Sequence, residues 1–279
     1  MTLDSLSTWA VHLLGAEWVE SIRYLFNGKH IAWYASVRYT LIAAFFGAAL
    51  AVFFGLLGAA ARLSAFAPLR WIGLLYTTML RGIPQVLFFL FFPLAFEQAV
   101  EYGLAWQFCS EIEMYQANQW PPCGAAQWHL STTEYLVLAC VSLGIVYGSF
   151  VASVIHGAMA AVPRGQLEAA RAYGFSRRQV FWQFQVRQMW IYALPGLSNI
   201  WILLLKATSL LSLLQISDIV MWADRLGAAN YFPRAGLVHP DWRWRYYLAL
   251  IVFYIVMAML SERVFKWLFK RASRGVALA

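Results

Sequence analysis

The sequence predicts an all-α protein that crosses a membrane with about five helices. Three observations carry this. Of the 279 residues, 62% are hydrophobic and 12% charged, whereas a soluble domain carries about 25% charged and 45–50% apolar residues. The apolar residues are gathered into stretches of roughly the 20 residues that a spanning helix needs. The basic residues stand beside those stretches, as membrane anchors do. The net charge of +8 therefore does not mark a nucleic-acid binder: no basic run is interleaved with aromatics in a soluble segment.

The N-terminus opens with Asp4 as its first charge, and no basic cluster precedes a short apolar core. A secretory leader is not expected, and the first spanning helix directs insertion itself. Residues 1–36 read as a segment outside the cell, 37–270 as the membrane domain and 271–279 as a cytoplasmic tail.

The clearest span is Tyr39 to Ala61, without a charge and bracketed by Arg38 and Arg62. The second apolar stretch, Trp71 to Phe96, is interrupted by Arg81. Either Arg81 lies deep in the membrane, or Pro68 to Leu80 lies along the interface and the span starts near Ile83. The second is preferred, because a buried unpaired Arg is costly. That span runs past Glu97, with Pro84 and Pro93 bending it. The third is Glu134 to Ala161, the fourth Trp190 to Leu214 and the fifth Tyr246 to Phe269.

Five spans put the termini on opposite sides. One side collects Arg62, Arg70, the five arginines between Arg164 and Arg187, and the five basic residues between Arg263 and Arg274, which makes twelve. The other collects Arg23, Lys29, Arg38, Arg225, Arg234, Arg243 and Arg245, which makes seven. The loop from Glu97 to Thr133 has no Lys or Arg. The positive-inside rule then places the N-terminus outside and the C-terminus in the cytoplasm. Cys140 lies in a span and reads as packing. Cys109 and Cys123 share the 97–133 loop. They form a disulfide if it faces an oxidising compartment, and two free thiols otherwise.

The loop 162–188, on the basic side, has internal order. Pro163 suits the first position of a helix. Gly174 ends a run of helix formers. Ser176 with Gln179 makes a capping-box pattern. Two short helices joined at Gly174 are expected. By charge alone they could lie on anionic headgroups.

The segment Gly165 to Ser176, GQLEAARAYGFS, with Leu194-Pro195 following, resembles the EAA loop of ATP-binding-cassette (ABC) importer permeases. Glu168, Ala169, Ala170 and Gly174 match its central positions. Tyr76 to Pro84 resembles the segment ending in Arg-Gly-Thr-Pro in the polar amino acid branch. Leu205 to Leu210 resembles its Leu-Lys-Asp-Thr-Ser-Leu, and Ser217 to Pro233 the stretch before the last helix. The similarity spans about residues 35 to 270 and points to the histidine, lysine, arginine and opine permeases. Departures are Ala152-Ser153 and His156-Gly157 in place of Ala-Glu and Arg-Gly, Ala207 in place of Asp, and a long 97–133 loop. They leave the substrate open.

The resemblance implies a type I importer permease fold in the inner membrane of a bacterium. Its implied partners are a cytoplasmic ATPase dimer, a second permease chain (the same or a sister), a periplasmic substrate-binding protein, membrane lipid and a polar amino acid substrate. Gly165, Glu168, Ala169, Ala170 and Gly174 would couple to the ATPase, the two alanines by allowing close approach. No Gly-x-x-x-x-Gly-Lys-Ser/Thr pattern occurs, so the chain itself is expected to be neither an enzyme nor a cofactor carrier, and ATP would be used by the partner. Candidates for the translocation path are the polar groups in the spans: Arg81, Ser153, His156, Asn199, Lys206, Thr208 and Ser209. Each also has a structural reading. Ser and Thr pack helices, a histidine can be satisfied in an interior, and Arg81 and Lys206 can snorkel or pair.

The rivals explain less. An intramembrane protease would need Gly-x-Ser-x-Gly or His-Glu-x-x-His, and neither is present. A secondary transporter would more often show inverted repeats, which five spans do not give. A scaffold subunit leaves the EAA-like loop unexplained.

Overall fold

The computed structural model describes residues 24–116, 118–232 and 238–273. Most of the expected segment 1–36 and the tail beyond residue 273, with Arg23, Arg234 and Arg274, lie outside these residues. The helices are α1 (Gly28–Leu63), α2 (Ala67–Gly82), α3 (Gln85–Phe108), α4 (Glu111–Gln116), α5 (Thr132–Ala161), α6 (Arg164–Ala172), α7 (Arg177–Leu214), α8 (Ile219–Gly227) and α9 (Arg243–Ala272). Among the described residues the only β-pairing is an isolated bridge, Asn230 to His239. Five helices, α1, α3, α5, α7 and α9, are long and apolar enough to span a membrane.

Two boundaries differ from expectation, and the break in the second apolar stretch falls near Ile83 as preferred. Helix α1 begins at Gly28 rather than near Tyr39. The two apolar halves of the second stretch separate at Ile83-Pro84, with Ile83 extended, because Pro84 disfavours helix at the residue before it. Pro84 therefore precedes α3 rather than bending it, and Pro93 alone lies inside that helix. Helix α7 begins at Arg177, so the second short helix expected after Gly174 is the first turn of a 38-residue helix. No Gly or Pro stands between Gln179 and Trp190 to stop it. Its register is adjusted by a π-helical turn, Val180–Gln185.

The chain forms two compact units. The larger comprises residues 42–216 and 255 onward, and α5 is its buried centre. A capping box starts this helix: Ser131 Oγ accepts from the Glu134 N–H, and Glu134 Oε2 accepts from the Ser131 N–H at 2.7 Å. Small residues then let neighbours approach. A Cβ on Gly144 would stand 2.5 Å from Leu50 Cβ, and one on Gly148 2.6 Å from the Tyr76 hydroxyl and 2.8 Å from Phe54 Cβ. This Gly-xxx-Gly spacing suits close helix contact in lipid, where packing rather than hydropathy joins helices. The Tyr76 hydroxyl donates to the Ile145 carbonyl at 2.7 Å, tying α2 to α5. The Tyr147 hydroxyl lies 2.8 Å from Gln85 Oε1 and 3.2 Å from the Leu203 carbonyl, joining α5 to α3 and α7. Between α3 and α5, Cys109 and Cys123 form a disulfide, which resolves the alternatives left open by the sequence. Cys140 is a buried free thiol, as expected for packing.

The smaller unit comprises residues up to 41 and 217–254. Ile219, Ala223, Leu226, Tyr246 and Leu250 form its core, flanked by Trp33, Val37 and Trp242. Trp33 Nε1 donates to the Ile219 carbonyl at 3.0 Å. His30 is buried between Asn27 Oδ1, 2.9 Å away, and the Tyr246 hydroxyl, 2.8 Å away. Asp218 caps α8, its Oδ1 accepting from the Met221 N–H at 2.9 Å.

Candidate functional site

Two places carry the residues that the sequence singles out, and both lie in the larger unit. The first is the segment 163–185. Pro163 stands at the N-cap, one residue before the position expected for it, and α6 starts at Arg164. At the other end the Gly174 N–H bonds the Arg171 carbonyl at 2.9 Å and the Phe175 N–H bonds the Ala170 carbonyl at 3.2 Å. This is a Schellman closure, and it places Gly174 at φ +88°, a conformation that favours glycine. The chain then turns into the Ser176–Gln179 capping box, in which the Ser176 N–H donates to Gln179 Oε1 at 2.9 Å.

Helix α6 packs on the π-helical turn of α7, and the Phe175 and Phe184 rings meet edge-on at 5.1 Å. Ala170 and Val180 are buried, while Gly165, Glu168, Ala169, Arg171 and Gly174 are exposed. Of the two alanines expected to admit a partner, only Ala169 is presented outward; Ala170 serves packing within its own chain. The sequence reading missed Tyr173, which is 85% exposed, and Trp182 at 60%. Large aromatics held out on a rigid element are the residue types that anchor interfaces, and their place beside the Gly174 turn was the available signal.

The second place lies around Arg81. Its Nη1 donates to Ser153 Oγ at 3.3 Å, and its guanidinium stands 5.5 Å from the centre of the Phe150 ring. The end of α2 thereby meets the middle of α5. Ser153 also donates to the Ser149 carbonyl, and His156 follows on the next turn. The other candidates are not gathered there. Thr208 is fully buried and donates to the Leu205 carbonyl at 2.7 Å. Ser209 donates to the Lys206 carbonyl at 2.8 Å, and Lys206 is exposed. Asn199 lines a separate cavity against the end of α9. Gln85 and Tyr147, linked near the α2–α3 break, were not singled out from the sequence. The usable signal was a tyrosine in an apolar span, whose hydroxyl needs a partner. Among the described residues no three His, Cys, Asp or Glu side chains gather to hold a metal.

The family described as binding-protein-dependent transport system inner membrane component matches residues 51–274. The histidine/lysine/arginine/ornithine transport system permease protein HisQ of Escherichia coli (strain K12) is 33% identical over 245 residues, covering 86% of this chain and 92% of HisQ. The arginine ABC transporter permease protein ArtQ of the same organism is 28% identical over 230 residues, covering 82% of this chain and 87% of ArtQ. A crystal structure of an amino acid ABC transporter with histidines superposes with a TM-score of 0.64 at 20% identity, over 90% of this chain and 96% of that one. At that identity the superposition establishes the fold.

Proposed function

We infer that this chain, which belongs to the family of binding-protein-dependent transport system inner membrane components, is the membrane-spanning permease subunit of an ABC importer for a polar amino acid. A basic amino acid or an opine is the narrower substrate class, taken from the relatives and the sequence resemblance. The energy source is a separate ATPase on the cytoplasmic side. A second permease chain and an external binding protein complete the assembly. The N-terminus is outside and the C-terminus cytoplasmic.

The observation that carries this reading is the outward-facing helix Arg164–Ala172, closed by Gly174 and braced on α7. A coupling element must be rigid, exposed and continuous with what it moves. Glu168, Ala169 and Tyr173 would contact the ATPase. Because the chain beyond the Gly174 turn is already the first turn of α7, a displacement of α6 passes into a spanning helix without an intervening flexible loop. Rigid-body tilting of α5 and α7 would then alternate access.

Arg81 is the residue best placed to meet a substrate carboxylate. Its bond to Ser153 is single and long, and a bidentate carboxylate is the stronger partner for a guanidinium. His156 and Lys206 would extend the path from α5 and α7. Glu97 and Glu101 are carboxylates within a spanning helix, α3, and Glu97 already accepts from the Tyr135 hydroxyl at 2.7 Å, so a cationic side chain would be met by the sister permease or by backbone carbonyls.

The test is ATP-dependent uptake in proteoliposomes with the ATPase and binding protein. Gly174→Asp is expected to abolish uptake and binding-protein-stimulated ATP hydrolysis while membrane insertion persists. Unchanged uptake would count against the assignment. Orientation is tested separately. After reduction, Cys109 and Cys123 should react with a membrane-impermeant maleimide added outside intact cells, and labelling only after lysis would reverse the topology.

A further inference from the structure

The cavity between α7 and the end of α9 has a different character from the Arg81 cluster. Its volume is about 420 Å³, and Pro195, Ser198, Asn199 and Ile202 of α7 face Glu262, Phe265 and Lys266 of α9 across it. All of these residues belong to the larger unit. Neither Ser198 nor Asn199 has a hydrogen-bond partner for its side chain among the described residues. Polar groups on a spanning helix are costly unless something outside the chain satisfies them.

The charge around the cavity says what that is. Glu262 is balanced by Lys266, 3.3 Å away. Arg263 and Lys270 stand on the same last turns of α9, three and four residues from Lys266, without an ion pair among the described residues. The cavity lining itself holds one carboxylate and one ammonium. The excess positive charge comes from Arg263 and Lys270 on the same turns of α9, outside the lining, and the neighbouring face of α9 is apolar and open, with Leu260, Val264 and Trp267 exposed. Cationic pockets between spanning helices on the cytoplasmic side suit anionic lipid headgroups.

We propose that this cavity binds an anionic glycerophospholipid of the inner leaflet. Its phosphate would take hydrogen bonds from the Asn199 amide, the Ser198 hydroxyl and the Lys266 ammonium, and its acyl chains would run over Ile202 and Phe265 onto the open face of α9. The choice of leaflet rests on the orientation proposed above; the chemistry of the site does not. Asn199 is on this reading a lipid ligand and not part of the translocation path.

Native mass spectrometry of the assembled importer, titrated with phosphatidylglycerol, phosphatidylcholine or inorganic phosphate, tests the proposal without ATP or substrate. Phosphatidylglycerol should be retained preferentially. Asn199→Leu should weaken it about tenfold, the factor carried by one hydrogen bond to a charged group. Lys266→Glu, at a side chain 77% exposed and so safe for folding, should weaken it at least as much. Equal retention by both variants, equal binding of phosphatidylcholine, or displacement by inorganic phosphate would overturn the proposal. So would an oxidative cross-link from Ser198→Cys to a second permease chain, which would mean that protein covers the cavity. Failure of the Gly174 coupling test would leave these outcomes unchanged.

Discussion

Helices α5 and α9 have the same length, and their most apolar 18-residue windows have nearly the same mean hydropathy, 2.1 and 2.0, yet 72% of that window is buried in α5 against 11% in α9. Lipid is as apolar as a protein interior, so hydropathy does not decide which helix goes to the centre. Side-chain volume does. Helix α5 carries Gly144, Gly148, Ala139, Ser142, Ser149 and Ala152 on its packed faces, and all are buried. Helix α9 carries exposed Leu248, Ile251, Val252, Ile255 and Met259. Close packing holds the first, and the second keeps its bulk for lipid.

The hardest blow to this contrast is a large side chain at Gly148. Gly148→Leu has no room between Phe54 and the Tyr76 hydroxyl. It should destabilise by more than about 3 kcal/mol, the upper range for overpacking, because it also threatens the Tyr76–Ile145 bond. The comparison change on α9, Val256→Leu at an exposed position, should stay within about 0.5 kcal/mol. Thermal unfolding in detergent reads both. Equal losses would mean that volume is not what separates the two helices.

Hydropathy also fails for the smaller unit, where a carboxylate is buried. Asp218 has no exposed surface, and its Oδ2 has no partner among the described residues. Burial pushes its carboxyl up to about 6, against helical N–H groups that favour the charged form. A raised value means that the fold binds this proton more tightly than the unfolded chain does. The stabilising contribution is complete below about pH 4 and is lost as pH rises through about 6. The interval from the usual 3.8 to about 6 corresponds to at most roughly 3 kcal/mol. Asp218→Asn keeps an oxygen for the cap on Met221 and removes the titration. The melting temperature of the wild type should fall between pH 4 and pH 7 relative to this variant. Parallel curves would show that the carboxylate is not buried as described.

The contrast explains which parts were legible in the sequence. Spans show as apolar stretches, and five were found because each exceeds the bilayer requirement. The turn after α6 was legible because its determinants are local: Gly174 must take a positive φ, and Ser176 with Gln179 supplies its own cap. The continuity of α7 was not. Arg177, Arg178, Gln183, Gln185, Arg187 and Gln188 make its first turns polar, and polarity beside a span looks like a loop. Nor was the gathering of Arg81 with Ser153 and Phe150, or of Tyr147 with Gln85, since contacts 62 to 72 residues apart depend on how helices pack. The cavity that Asn199 lines with the end of α9 was not legible either, because polarity alone does not say which face of α7 a residue occupies.

The mildest test asks what holds a lipid-facing helix in place. In the larger unit Trp201 Nε1 of α7 donates to Ser261 Oγ of α9 at 2.8 Å, while Ser261 donates to the Met257 carbonyl at 2.7 Å. Ser261→Ala removes an acceptor without changing volume much. Interhelical bonds of this kind contribute about 0.6 kcal/mol on average and at most about 1.7 in membranes, because the freed group finds other partners there. The melting temperature should therefore drop slightly, and the indole fluorescence of Trp201 should report its altered surroundings. A loss as large as that of Gly148→Leu would mean that one polar tie, rather than many close contacts, anchors α9. Helices at the centre and at the lipid face would then be held by different forces, not by different amounts of the same packing.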